Sequence, residues 1–152
     1  MAEDAPSWLD ILNAAASVAT AAGVFIAVWQ IKIQLRQDAT EFEDDLDQEV
    51  REIMLALPMP ALFGEELSPE GAEQSLDQFY RYIDLCNQQI FLRQQGRISK
   101  DRWETWRDEM RLNLSKPAFK AAWEHIKRRA PGEFALLRRL ESAAFNTDPD
   151  DW

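Results

Sequence analysis

The strongest constraint on this chain lies near its amino terminus. From Ile11 to Ile31 there is no charged residue, an uninterrupted run of 21. A helix of that length can cross a hydrocarbon core of roughly 30 Å. Trp8 and Trp29 sit 21 positions apart, roughly 31 Å along a helix, which predicts one indole near each interface. The first ten residues hold Glu3, Asp4 and Asp10 and no Lys or Arg, unlike the positive start of a cleaved export signal. Lys32 and Arg36 follow the run, so the positive-inside rule places the amino terminus outside and the rest in the cytoplasm. The expectation is a single-pass protein of a bacterial inner membrane, with the lipid bilayer as its first partner. A core helix of a soluble protein is the alternative, because seven Ala together with Ser17 and Thr20 dilute the hydrophobicity.

Small residues recur within the run. Ala15, Ala19, Gly23 and Ala27 fall every four positions, a spacing that lets two helices approach closely. Beside them run Asn13, Ser17 and Thr20, polar groups that are costly against lipid. Asn13, Ala15, Ser17, Ala19, Thr20, Gly23 and Ala27 therefore form the expected oligomer or pore face, and the chain is expected to self-associate through this helix.

Composition narrows the function classes. A net charge of -10 disfavours general DNA binding. With one Cys and one His, an internal disulfide is impossible and a Cys/His zinc site would have to be shared between chains. The glycine-rich phosphate loops, HExxH and the EF-hand pattern are all missing. No catalytic residue, cofactor or metal site is expected.

After the run, Ile31, Leu35, Phe42, Leu46, Val50, Ile53 and Leu57 approximate a 4/3 spacing. They predict an amphipathic helix that ends before Pro58. Its other face is acidic, with Asp38, Glu41, Glu43, Asp44, Asp45, Asp47, Glu49 and Glu52 against Arg51 alone. Such a face is ordinarily solvated; the sharper reading is an anionic vestibule beneath an oligomer. A turn-rich stretch follows, where Ser68-Pro69 can start a helix. Leu76 to Gly96 reads as a strong helix closed by a glycine cap, with apolar residues on both sides and Asn87 in one apolar face. Ser99 caps the next helix, with Trp103, Trp106 and Met110 inward. Pro117 opens another around Phe119, Trp123 and Ile126, and a last short helix precedes Phe145. The predicted fold is all-α, with a transmembrane helix continuing into a stalk and then a small cytosolic bundle. Its segments are an outer tail at 1–10, the span at 11–31, an acidic stalk at 32–57, a linker at 58–71, the bundle at 72–145 and a loose tail at 146–152.

The stretch YIDLCNQQIFLRQQGRISKDRWETWRDEM, followed by KPAFKAAWEHIK, resembles an uncharacterised family of small bacterial and prophage proteins. The resemblance rests on Tyr82, Leu85, Cys86, Leu92, Gly96, Ile98, Trp103, Trp106, Met110, Pro117, Phe119 and Trp123, and covers about half of the chain. It implies an amino-terminal membrane helix followed by a compact helical domain, and no particular activity. Asn87, Gln88 and Gln89 stand where the family pattern has acidic residues. The layout is also similar to membrane-pore accessory proteins of CRISPR defence, which join a span to a helical HEPN-like core. A HEPN nuclease needs Arg, then four to six intervening residues, then His, whereas Ala118, Phe119 and Lys120 fill that window before His125.

Two further features bear on partners. Tyr80, Asp84 and Asn87 form a candidate buried polar site, which either sets the register of the bundle or lines a pocket. Arg111, Lys116, Lys120, Lys127, Arg128, Arg129, Arg138 and Arg139 make the carboxy-terminal end basic. That patch suits an anionic ligand, lipid headgroups, a neighbouring stalk or a cytosolic partner. The leading expectation is a non-enzymatic protein that self-associates and displays a helical domain, as a membrane effector or pore-type accessory in phage or plasmid defence. Its rivals are a tethered enzyme or binding module acting on a nucleotide or nucleic acid, and an adaptor that recruits a cytosolic partner.

Overall fold

The computed structural model describes the backbone of residues 8–152, with side chains at Trp8, 24–34 and 40–152. The helices are α1 (Trp8–Ala56), α2 (Met59–Phe63), α3 (Pro69–Gln74), α4 (Leu76–Gln94), α5 (Lys100–Ser115), α6 (Pro117–Arg129) and α7 (Ala135–Ser142), before a closing 3-10 turn at Pro149–Asp151. Among the described residues there is no strand, as the all-α expectation requires.

Among the described residues no helix is long and apolar enough to cross a membrane. This corrects the expected transmembrane helix at 11–31, and with it the inner-membrane location and the pore. Where side chains are described, the exposed apolar stretch runs from Val24 to Ile33 and is interrupted by Gln30 and Lys32. α1 runs past the uncharged run to Ala56, which agrees with the expected continuation into a stalk helix that ends before Pro58.

The chain divides into two compact units, one ending at Glu41 and one from Phe42 to Trp152. The second unit therefore begins inside the expected stalk. Leu46, Ile53 and Leu57 are buried in its core, and the acidic face of this part of α1 is not simply solvated. Glu43, itself buried, accepts a hydrogen bond from the Ser99 N–H at 2.7 Å. Arg102 pairs with Asp44 at 3.2 Å and also with Asp47, whose carboxylate accepts the Trp106 indole N–H as well. The anionic face is thus partly neutralised by α5.

Local chemistry sets the helix ends. Ser68 Oγ accepts from Gly71 N–H and Ser99 Oγ from Arg102 N–H, each satisfying a donor that a helix start leaves unpaired. At the end of α4 the chain turns through Gly96, φ 66°. Gly96 N–H donates to Arg93 O and Arg97 N–H to Leu92 O, the paired bonds of a glycine-closed helix terminus.

The core of the second unit gathers on α4, which packs on α6, α7 and the closing turn. Leu85 and Leu92 are buried on one side, and Phe79, Ile83, Cys86 and Ile90 are buried with them. Phe79 and Tyr82 meet the Phe119 ring edge-on at 5.1 and 5.3 Å. Residues 146–152, expected to be loose, are held against this core. Arg93 donates from Nε to Asp148 Oδ1 and from Nη2 to Asp148 Oδ2, both at 2.8 Å, and its Nη1 reaches Ile98 O at 2.9 Å. The Arg139 guanidinium lies 4.3 Å from the centre of the Trp152 ring.

Candidate functional site

A groove of about 670 Å³ lies between α3 and α6, with Arg128 and Arg129 of the expected basic patch on one wall. Its origin is the pattern of α6. One ridge of that helix, Phe119, Trp123 and Ile126, is large and buried in the core. The adjoining ridge is Ala118, Ala122, His125 and Arg129, small at its start and cationic at its end. α2 packs on α6 and α3 packs on α4, so α3 stands off from the alanines and a groove opens. Its floor is Leu76, Phe79, Ala118 and Ala122. Glu66 and Glu73 line it from the α3 side, and His125, Arg128 and Arg129 from α6. Arg128 and Arg129 make no ion pair among the described residues, so the two charged walls are not joined across the groove.

The expected basic patch is otherwise dispersed. Arg111 pairs with Asp108 at 3.3 Å. Lys116 donates to Asn113 Oδ1 at 2.8 Å. Lys127 pairs with Glu124 at 2.7 Å and with Glu141 at 3.1 Å. Arg138 is spent on the carbonyls of Glu133, Lys127 and Ala130, and both Lys127 and Arg138 lie over the Trp123 ring, at 5.2 and 5.4 Å. Arg139 covers Trp152. Lys120, Arg128 and Arg129 keep exposed, unpaired charge among the described residues.

Nor do Tyr80, Asp84 and Asn87 converge on a pocket. Asp84 is exposed. The Tyr80 hydroxyl donates to Glu133 Oε2 at 2.9 Å; that bond, with some burial, raises its pKa above the usual tyrosine value. Asn87 Oδ1 accepts the Leu137 N–H at 3.2 Å. It supplies α7 with the capping oxygen that its own N-cap, Phe134, lacks. Phe134 holds a left-handed backbone, φ 58°, and is kept there by edge contacts to Tyr80 and Trp123.

Of the expected oligomer face, Asn13, Ala15, Ser17, Ala19, Thr20 and Gly23 lie outside the residues whose side chains are described. Ala27 is described and exposed. Among the described residues no group of His, Cys, Asp and Glu could hold a metal ion.

Cys86 is fully enclosed in α4, and burial pushes its thiol up to about 12. The thiolate is the reactive form, so Cys86 is expected to resist a thiol reagent at neutral pH and to label at the rate of global unfolding. Labelling in native buffer as fast as in denaturant would show that this part of the core opens locally.

No family model matches the chain, and neither a curated protein nor a solved structure is similar to it at a significant level.

Proposed function

We propose that the chain acts by assembly rather than by catalysis, with its amino-terminal helical segment joining copies and the Phe42–Trp152 domain carried by the assembly. One observation supports this reading. Between Val24 and Ile33, seven large apolar side chains are exposed, among them Phe25 at 77% and Trp29 at 64%. An apolar surface that continuous marks an interaction site. Val24, Val28 and Ile31 follow the 4/3 spacing of a helix–helix seam. Phe25, Trp29 and Ile33 lie on other faces, and a helix apolar on all sides is ordinarily covered on more than one. More than two copies therefore account for the pattern better than a pair does. Lys32 lines the same surface as Phe25, Val28 and Trp29, where its stem can cover apolar area while its charge stays in water.

Sedimentation of the full chain in detergent-free buffer should give a discrete oligomer at micromolar concentration. The double variant Val28→Asp, Ile31→Asp should sediment as a monomer with unchanged helix content, because both positions are exposed within one chain. A parent protein that stays monomeric, or that leaves solution for phospholipid vesicles instead of pairing with itself, would overturn the proposal.

A further inference from the structure

The groove between α3 and α6 has a chemistry that selects its occupant, and the geometry points to a short apolar peptide with both termini free, of two or three residues. The volume, about 670 Å³, falls within the roughly 300–1,000 Å³ of small-molecule sites, which are mainly apolar with a few placed polar groups. The floor meets the first condition: Leu76, Phe79, Ala118 and Ala122 offer apolar surface, and the alanines leave room for a ligand's side chains. The walls meet the second, and they do so with opposite signs. Glu66 and Glu73 face the groove from one side, and His125, Arg128 and Arg129 from the other.

A simple anion would bind the arginines but be repelled by the two carboxylates, and a simple cation would meet the reverse. A ligand bearing one positive and one negative end, with an apolar body between, satisfies both walls and the floor. A peptide supplies that pattern from its termini, since an ammonium and a carboxylate can be captured separately. Among the described residues the two walls make no ion pair with each other, and in a single amino acid the two charges sit side by side. Two or three residues separate the charges and place an apolar body between them over the floor. Each charged contact would also strengthen as the ligand expels water from the groove. Neither this site nor its test depends on the assembly proposed above.

Calorimetric titration of the full chain with leucylphenylalanine should show saturable binding with one site per chain. The N-acetyl dipeptide and the dipeptide amide each lose one charge and should bind about tenfold more weakly or worse, as expected for a lost hydrogen bond to a charged group. The double variant Glu66→Gln, Glu73→Gln should lose discrimination against the N-acetyl form alone. Arg128→Gln with Arg129→Gln should lose discrimination against the amide alone. General damage to the fold would weaken all three ligands together, so this crossed pattern separates recognition from stability. Ala122→Trp should fill the groove and abolish binding. Absence of saturable heat overturns the inference. So does an N-acetyl dipeptide or an amide that binds the parent as well as the free dipeptide, or binding that survives Ala122→Trp.

Discussion

Trp103→Ala should remove about 3–5 kcal/mol from the stability of the Phe42–Trp152 domain, the usual cost of deleting a buried aromatic side chain. Trp103 is completely inaccessible to solvent, and it lies one turn into α5, between the Ser99 cap and Trp106. Its indole N–H has no hydrogen-bond partner among the described residues. Truncation therefore leaves no polar partner stranded, and the loss is one of packing and transfer alone. Domains of this size are stable by about 5–15 kcal/mol, so the variant sits near the edge of folding. Chemical denaturation should show a lower midpoint with an unchanged slope, because the surface exposed on unfolding hardly changes. Thermal scans should fall by about 10 °C or more. A loss under about 1 kcal/mol would mean that the site collapses around the gap, and that α5 is less tightly held than its burial indicates.

The second large effect concerns the clamp between α4 and the carboxy-terminal turn. Arg93→Met should cost about 2–3 kcal/mol. Arg93 is buried, and its side chain makes two bonds to Asp148 and one to the Ile98 carbonyl. Removing it strands a buried carbonyl and leaves Asp148 without its counter-charge. The cost stays below the roughly 3–5 kcal/mol of a fully buried pair, because the Asp148 side chain is 20% exposed and can regain water. The double change Arg93→Met, Asp148→Asn should recover part of the loss, since the more buried of the two carboxylates paired with Arg93 is then neutral, and the other, Asp150, is half exposed to water.

The same clamp predicts a pH dependence with a definite sign. The Arg93 hydrogen bond holds the Asp148 carboxyl below the usual aspartate value, against the opposing effect of burial. A carboxylate whose folded pKa is depressed adds stability that is fully present above its unfolded value. That stability is lost as pH falls through the lower folded value. The parent should therefore lose stability on acidification more steeply than Arg93→Met across that window. Parallel acid profiles for the two proteins would show that Asp148 does not depend on Arg93.

The helix boundaries of the domain were legible because their causes are local. Ser68 with Pro69, Ser99, Gly96 and Pro117 act on backbone groups within a few positions. The core residues Phe79, Ile83, Trp103, Trp106, Met110, Phe119, Trp123 and Ile126 were legible for a similar reason, since a 3.6-residue period repeats within each helix. The terminal tail was misread because the partner that orders it is remote: Asp148 meets Arg93 across 55 positions. The acidic part of α1 was read correctly as exposed at Glu41, Asp45, Glu49 and Glu52, but not at Glu43 and Asp47, which find the start of α5 more than 50 residues later. Asn87 was recognised as a polar group in an apolar face, but its role as the cap of α7 depends on a helix 50 positions away. The length of the uncharged run was read as a span, whereas no helix among the described residues is long and apolar enough to cross a membrane.

The groove had a partial signal in Ala118, Ala121, Ala122 and His125. Small residues on one side of an otherwise aromatic helix mark a face that either packs closely or stays open, and periodicity cannot choose between the two. The sequence by itself determined where most helices begin and end and which side of each is apolar, because capping and amphipathicity act over a few residues. Only the tertiary structure decided which charges are neutralised, which residues the domain contains and where α3 and α6 part. Those depend on pairings between distant segments, and a chain's local pattern carries no record of its distant partners.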